Sequence, residues 1–158
     1  MAGHDIITGE GKEFFRQIEQ LKKLQIRIGY ERGKNSKTDE KGKETDYCDI
    51  ALWNELGTSN GIPSRPFLRD SVDKNASQID SACKAALQTI SKGETAEKIL
   101  KQLGAMQKGL VQQTIVSGDF KPNSPITVKK KGSDKPLIDS GGLRENVNFV
   151  ICEKGEYD

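Results

Sequence analysis

Two short stretches of alternating apolar residues, at opposite ends of the chain, constrain the fold more than any other feature. They cover about 25–31 and 145–153, and their apolar positions are Ile26, Ile28 and Tyr30 and then Val147, Phe149 and Ile151. This alternation is typical of a strand that buries one face. Because neither strand can cover its own apolar face, we expect them to pair in a small antiparallel sheet with helices packed against it. The predicted fold class is therefore α+β.

The segments nearest the first strand have helical spacing. Residues 10–24 place their largest apolar side chains on one stripe, at Phe14, Ile18 and Leu21. After a gap, Asp46 can cap a short helix that runs to about Leu56, where Gly57 would stop it. In this second helix Tyr47, Ile50 and Ala51 are predicted to face inward.

Two longer helices are predicted in the middle of the chain. The first runs from Pro66, a favourable first-turn residue, to about Ser91, and the second covers about 95–117. The apolar stripe of the first is Leu68, Val72, Ile79, Cys83, Ala86 and Ile90, and that of the second is Ile99, Leu103, Met106, Leu110 and Thr114. Only a short turn around Gly93 separates them, so they should form an antiparallel helix hairpin.

Two segments offer little apolar surface to bury. Residues 32–45 are mostly charged and contain two glycines, which is typical of a mobile loop or a hairpin tip. Residues 118–136 are predicted to be extended, with three prolines and the basic run at 129–131. We expect the chain of 158 residues to form one domain, 1–158, with mobile loops at about 32–45 and 118–136.

Composition argues against several classes of protein. The three cysteines, Cys48, Cys83 and Cys152, are widely spaced and lack a CxxC pair, which argues against a disulfide framework and against zinc. The single histidine, His4, lies near a terminus where a general base would lack a fixed partner. No membrane span or secretory signal is evident, so we expect an intracellular protein. The predicted site has no catalytic, metal or cofactor residues.

Two features stand out from this background. The run Lys129, Lys130 and Lys131 is either a solvated loop or a weak, salt-sensitive and non-specific contact to nucleic acid. The apolar group that contains Trp53 and Phe67, with Ile62, Pro63 and Pro66, is either core packing or a partly exposed patch for a neighbouring subunit.

Four segments, in order along the chain, are similar to motifs of one protein family. Residues 50–58 resemble "A…NE(F/L)GT", 62–69 resemble "IPxRPFxR", 122–132 resemble "PNSPxTxxxKG" and 135–143 resemble "KPLIDTGxL". Together they resemble the tail-completion and virion-morphogenesis proteins of tailed bacteriophages. Ser140 stands where that family more often has threonine. The segment 32–45 is long and highly charged, and because loops of this kind vary in such families, nothing about it is transferred from the resemblance.

The resemblance implies a non-enzymatic α+β structural protein that completes the tail or joins it to the head. It implies partners of three kinds: further copies of the chain in a ring or other homo-oligomer, other tail or head-connector proteins, and DNA passing through the neck, bound weakly. It implies the host cytoplasm during assembly and the virion afterwards. The residues predicted at interfaces are Trp53, Arg65, Phe67, Arg69, Lys129, Lys130 and Lys131. The alternative is a small nucleic-acid-binding module with a basic loop.

Overall fold

The computed structural model describes residues 7–122, 137 and 141–156. Within them the chain forms six helices and four strands. In chain order these are α1 (Gly9–Lys23), β1 (Leu24–Gly29), β2 (Ser36–Thr38), β3 (Glu44–Asp46), α2 (Tyr47–Leu56), α3 (Phe67–Asp73), α4 (Ala76–Ile90), α5 (Ala96–Ser117), α6 (Gly142–Asn146) and β4 (Asn148–Glu153).

The two ends of the chain meet in one antiparallel sheet, as predicted. β1 pairs with β4, with Ile26 opposite Ile151 and Ile28 opposite Phe149. Helix α5 packs against both strands, and α1 packs against α5. The sheet is therefore covered by helices on its apolar face, and the α+β fold class is confirmed.

The last strand is shorter than predicted. Residues 142–146 form helix α6, so β4 begins only at Asn148. Gly141 starts this helix in the left-handed region, with φ of 74°, and the Asn146 side chain donates to the Gly142 carbonyl. Leu143 is buried within α6, and its carbonyl accepts from the Tyr30 hydroxyl at 2.6 Å. The helical turn thus positions a core side chain that a strand would have directed elsewhere.

The prediction of a single helix from Pro66 to Ser91 is wrong, because the helix is interrupted between α3 and α4. At the break the Asn75 side chain donates to the Ser71 carbonyl, and the Asn75 N–H donates to the Val72 carbonyl only three residues back. Asparagine competes in this way with the helical backbone bonds. Val72, predicted on the inner stripe, is 47% exposed.

The α3–α4 arm still runs antiparallel to α5, as predicted. Gln107 near the middle of α5 donates to the Ser71 hydroxyl of α3 at 3.4 Å, while Ile90 at the end of α4 immediately precedes the turn into α5. Gly93 in that turn has φ of 96°, the left-handed conformation expected of it. At the start of α5, the N–H of Ala96 donates to the buried Gln17 side chain of α1.

The charged segment 32–45 contains most of a small hairpin in which β2 pairs with β3. Asp46 closes its base, because one carboxylate oxygen accepts from Gly33 N–H at 2.6 Å and the other from Cys48 N–H at 2.7 Å. The second bond is the predicted cap of α2. The mobility of 32–45 stays a prediction, which amide exchange would test, and 123–136 lies outside the described residues.

The core lies where α2, α3, α5 and α6 meet. Its buried members are Ala51, Phe67, Val111, Ile115, Leu137, Leu143 and Val147. Phe67 and Val147 are completely buried, and Tyr30 packs edge-on against the Phe67 ring. Burial, and secondarily the negative charge of Glu55, raises the pKa of Tyr30. This arrangement holds α2 with one face on the core and the other toward solvent.

Candidate interaction surface

Helix α2 has an unusual distribution of polar and apolar side chains. Its outward side carries Leu52, Trp53 and Leu56, which are 49%, 40% and 61% exposed. Its inward side carries Glu55, which is only 8% exposed. Exposed single apolar residues are ordinary, but three large ones within two helical turns, beside a buried carboxylate, are not. We refer to Leu52, Trp53 and Leu56 as the α2 surface.

Glu55 is buried because it joins α2 to α3. Its carboxylate oxygens accept from the N–H groups of Leu68 and Arg69, at 2.9 and 3.2 Å, in the first turn of α3. The Arg69 guanidinium donates to the same carboxylate at 3.1 Å and to the Glu55 carbonyl at 3.3 Å. Pro66 gives α3 no side-chain cap of its own, so Glu55 supplies one from another helix.

Arg65 ties the turn before α3 to the chain that leaves α5. Its Nε donates to the Lys121 carbonyl at 2.9 Å, and its Nη1 donates to the Asn54 side chain at 3.1 Å. A third bond reaches the Pro122 carbonyl at 3.4 Å. The residue is 7% exposed, and burial lowers the pKa of its guanidinium. Arg65 is therefore an internal clamp in the monomer.

The turn that connects α2 with Arg65 is fixed by Gly57. Its φ of 78° lies in the left-handed region, and a Cβ there would lie 2.9 Å from the Ser64 nitrogen and 3.0 Å from the Ile62 carbonyl oxygen. Thr58 N–H donates to the same Ile62 carbonyl at 2.9 Å. The backbone passes itself too closely for any side chain. We call Glu55, Gly57, Arg65, Phe67 and Arg69 the α2–α3 junction.

The predicted interface residues therefore separate into three groups. Trp53 and the Arg69 side chain are exposed, at 40% and 60%, although Arg69 is also paired with Glu55. Arg65 and Phe67 are buried, so the prediction that they contact a neighbouring subunit directly is corrected: their side chains act inside the fold. Lys129, Lys130 and Lys131 lie outside the described residues.

Sequence reasoning missed Leu52 and Leu56 as surface residues. The sequence contains a signal for them, because Tyr47, Ile50 and Ala51 are predicted on the inner side of the same helix, and residues 52, 53 and 56 fall on the other side. Glu55 was also missed. A single carboxylate in a helix is usually solvated, so its burial depends on α3 being placed against it.

A cleft of about 920 Å³ lies between α1, α5 and β4. Phe149 and Ile151 lie in its wall with Gln17. Two of its cations, Arg16 and Lys101, form ion pairs along their own helices with Glu13 and Glu97. Within the described ranges no group of three or more His, Cys, Asp or Glu side chains could hold a metal ion. The described lining of this cleft presents no nucleophile with an adjacent base.

None of the helices that the structure describes is long and apolar enough to cross a membrane. Comparison of the chain with protein-family models, with curated proteins and with solved structures finds no match.

Proposed function

We propose that this chain is a structural protein of a tailed bacteriophage or prophage virion, which completes the tail or joins it to the head without catalysing a reaction. The observation that carries the proposal is the α2 surface. A helix that buries its glutamate and exposes two leucines and a tryptophan is suited to contact another protein surface. The proposed partners are further copies of the chain and other tail or head-connector proteins.

The apolar side chains of the α2 surface lie in water in the isolated chain. Removing apolar area from water contributes roughly 25 cal/mol per Å², so a partner that covers the α2 surface gains free energy that the isolated chain lacks. Tryptophan is over-represented among the residues that dominate binding energies, and Trp53 is one of the three residues of the α2 surface. The neighbouring charges suit the rim of such a contact, because Arg69 is held by Glu55 and Arg32 by Asp49.

The family resemblance supports the same proposal. Its first two motifs include the five residues of the α2–α3 junction, and each has an internal structural role: a cap, a tight turn, a clamp, a core ring and an ion pair. Motif residues that fix the chain in this way suit a subunit whose outer surface must be presented in a defined orientation. Assembly in the host cytoplasm and residence in the virion belong to the proposal.

The test is a matched pair of substitutions, Leu52→Glu and Leu87→Glu. The two leucines are 49% and 51% exposed, but Leu87 lies on α4, away from the α2 surface. We expect Leu52→Glu to abolish self-association in light scattering and incorporation into virions, because it would place a carboxylate in an apolar contact. Leu87→Glu should do neither.

The proposal fails if both variants assemble as the unchanged protein does, or if no virion contains the chain. Thermal melts of both variants check that each still folds, as substitutions at exposed positions usually allow. A DNA titration at several salt concentrations tests the alternative. Tight binding that weakens steeply with salt, together with unchanged assembly, would favour a nucleic-acid-binding module.

A further inference from the structure

A small polar pocket lies at the base of the β2–β3 hairpin, where the chain that follows β1 meets α5 and α6. Its volume is about 130 Å³. We call it the hairpin-base pocket, and it shares no residue with the α2 surface. The lining residues that determine its chemistry are Glu31 and Lys34 before the hairpin, Lys108 of α5, Glu145 of α6, and Tyr30 and Tyr47.

Lys108 lines this pocket because of its position on α5. One helical turn further on, the Gln112 side chain donates to the Arg144 carbonyl of α6 at 3.0 Å. Residues four apart lie on the same side of a helix, so Lys108 also faces the α6 region, where it is half-buried. The other lysines of α5, Lys98 and Lys101, are exposed and pair with glutamates one turn earlier.

The four charged side chains of the pocket have a net charge of zero, but only two of them pair. Lys34 and Glu31 form an ion pair at 2.8 Å. Within the part of the chain that the structure describes, Lys108 and Glu145 form no ion pair, either with each other or with another residue. A half-buried ammonium group without a counter-charge is unfavourable, so an anion beside Lys108 would stabilise it. Glu145 is exposed and can bind a cation in the same pocket.

The arrangement of charges restricts the ligand. A simple anion beside Lys108 would also lie near the carboxylates of Glu31 and Glu145, and a simple cation beside Glu145 would lie near two ammonium groups. A ligand that carries both charges gains an attraction at each end, and its neutral total matches that of the lining.

The size of the pocket restricts the ligand further. An apolar cavity of about 150 Å³ holds one benzene molecule, so a pocket of about 130 Å³ admits only a ligand with few non-hydrogen atoms. The Tyr30 hydroxyl already donates to the Leu143 carbonyl, so Tyr30 offers the ligand its ring. Tyr47 adds a second ring to the lining. A short aliphatic carbon skeleton is suited to these surfaces.

We propose that the hairpin-base pocket binds a small amino acid in its zwitterionic form, such as glycine or alanine. The Lys108 ammonium group would bind the ligand carboxylate, and the Glu145 carboxylate would bind the ligand ammonium group. The carbon atoms would contact Tyr30 and Tyr47. This inference goes beyond the proposed assembly function, and its test involves no virion.

The test is a titration of the nitrogen-15-labelled protein with L-alanine, followed by the NMR shifts of its amides. We expect saturable shifts at the residues that line the hairpin-base pocket and none at the cleft between α1, α5 and β4. Acetate and methylammonium each carry one of the two charges, so at equal ionic strength each should bind at least about threefold more weakly than alanine.

Two substitutions in the pocket are matched with two outside it. Lys108→Met and Glu145→Gln should each weaken alanine binding by about three- to tenfold, because each removes one charged contact. The controls are Lys101→Met and Glu97→Gln, which alter an exposed pair on α5 outside the pocket and should leave binding unchanged.

The proposal is overturned if alanine produces no saturable shifts at the hairpin-base pocket, or if acetate or methylammonium binds as tightly as alanine. Equal effects of the pocket and control substitutions would also overturn it. The comparison of ligands uses the unchanged protein, so its result holds even where a variant loses stability.

Discussion

The α2–α3 junction and the β1–β4 sheet differ in how fully their groups are satisfied within the fold. In the junction, side chains of one element form hydrogen bonds with backbone groups of another. The sheet leaves much of its apolar surface in contact with water. Phe67 in the junction is completely buried, and the Glu55 carboxylate receives three hydrogen bonds. In the sheet, Ile26, Ile28, Phe149 and Ile151 are only half-buried, although they face the helices. The groups of the junction are therefore satisfied within the folded chain, whereas the apolar surface of the sheet is only partly covered.

The difference separates stability from binding. Where every polar group has an internal partner, a substitution removes contacts that the folded chain needs, so the effect is on the free energy of unfolding. Where apolar side chains remain half-exposed, the fold can tolerate change, and a partner gains by covering them. If the two regions differ in this way, substitutions in the junction should change stability more than substitutions beneath the sheet.

The largest effect is expected in the junction, for Arg65→Glu. The substitution removes the donors that satisfy the Lys121 and Pro122 carbonyls and places a carboxylate beside those oxygens. We expect it to lower the free energy of unfolding by about 3 kcal/mol, since it leaves a buried charge without its partners. Urea denaturation of the purified protein measures this.

Arg16→Glu is the control, because Arg16 is an exposed arginine on α1 that pairs with Glu13 of the same helix, and little change is expected there. If Arg65→Glu unfolds at the same urea concentration as the unchanged protein, the contacts of Arg65 do not stabilise the fold. The junction would then not differ from the sheet in this respect. If it unfolds earlier, failed assembly of this variant reports lost folding and not a lost subunit contact.

Much of the fold is predictable from sequence because its signals are local. The cap at Asp46, the stop at Gly57 and the length of α5 each depend on residues within a few positions. The pairing of β1 with β4 is predictable for another reason: each strand has one apolar face and the sequence offers no other half-buried strand.

The errors arise where a distant contact decides the outcome. The apolar stripe continues from Leu68 through Val72 to Ile79, so spacing alone gives no sign of the break at Asn75, where a side chain takes the Ser71 carbonyl. The sequence predicts Arg65 at an interface because no local pattern reveals its internal partners. These are the Lys121 and Pro122 carbonyls, more than fifty residues away.

A smaller effect is expected beneath the sheet, where two glycines of α5 make a matched pair. A Cβ on Gly104 would collide with the Phe149 ring, while a Cβ on Gly109 would meet nothing within 4 Å. Gly109→Ala should stabilise the protein by about 0.5–1 kcal/mol through helix propensity. Gly104→Ala should destabilise it by about 1–2 kcal/mol, because Phe149 must move.

Thermal melts of the two variants measure this difference. A half-buried ring has room to turn toward solvent, so the cost at Gly104 should stay near the lower end of the range for overpacking. A loss of about 3 kcal/mol or more would mean that Phe149 is as tightly held as a junction side chain. The apolar side chains of the sheet would then be packed as tightly as those of the junction.

The smallest effect concerns Asp46, a half-buried residue whose carboxylate resembles that of Glu55 in accepting two backbone N–H groups. The N–H groups of Gly33 and Cys48 hold the pKa of Asp46 below its ordinary value. A depressed pKa in the folded state means that the carboxylate stabilises the fold above its unfolded-state pKa and loses this contribution as pH falls through the folded-state pKa. Asp46→Asn keeps a side-chain oxygen that can cap α2 but does not titrate. The unchanged protein should therefore melt at a slightly higher temperature than Asp46→Asn at neutral pH, and the gap should narrow in acid. A gap that stays constant across the acid range, or an ordinary Asp46 pKa in an NMR titration, would show that the two N–H groups at the hairpin base do not stabilise the Asp46 carboxylate.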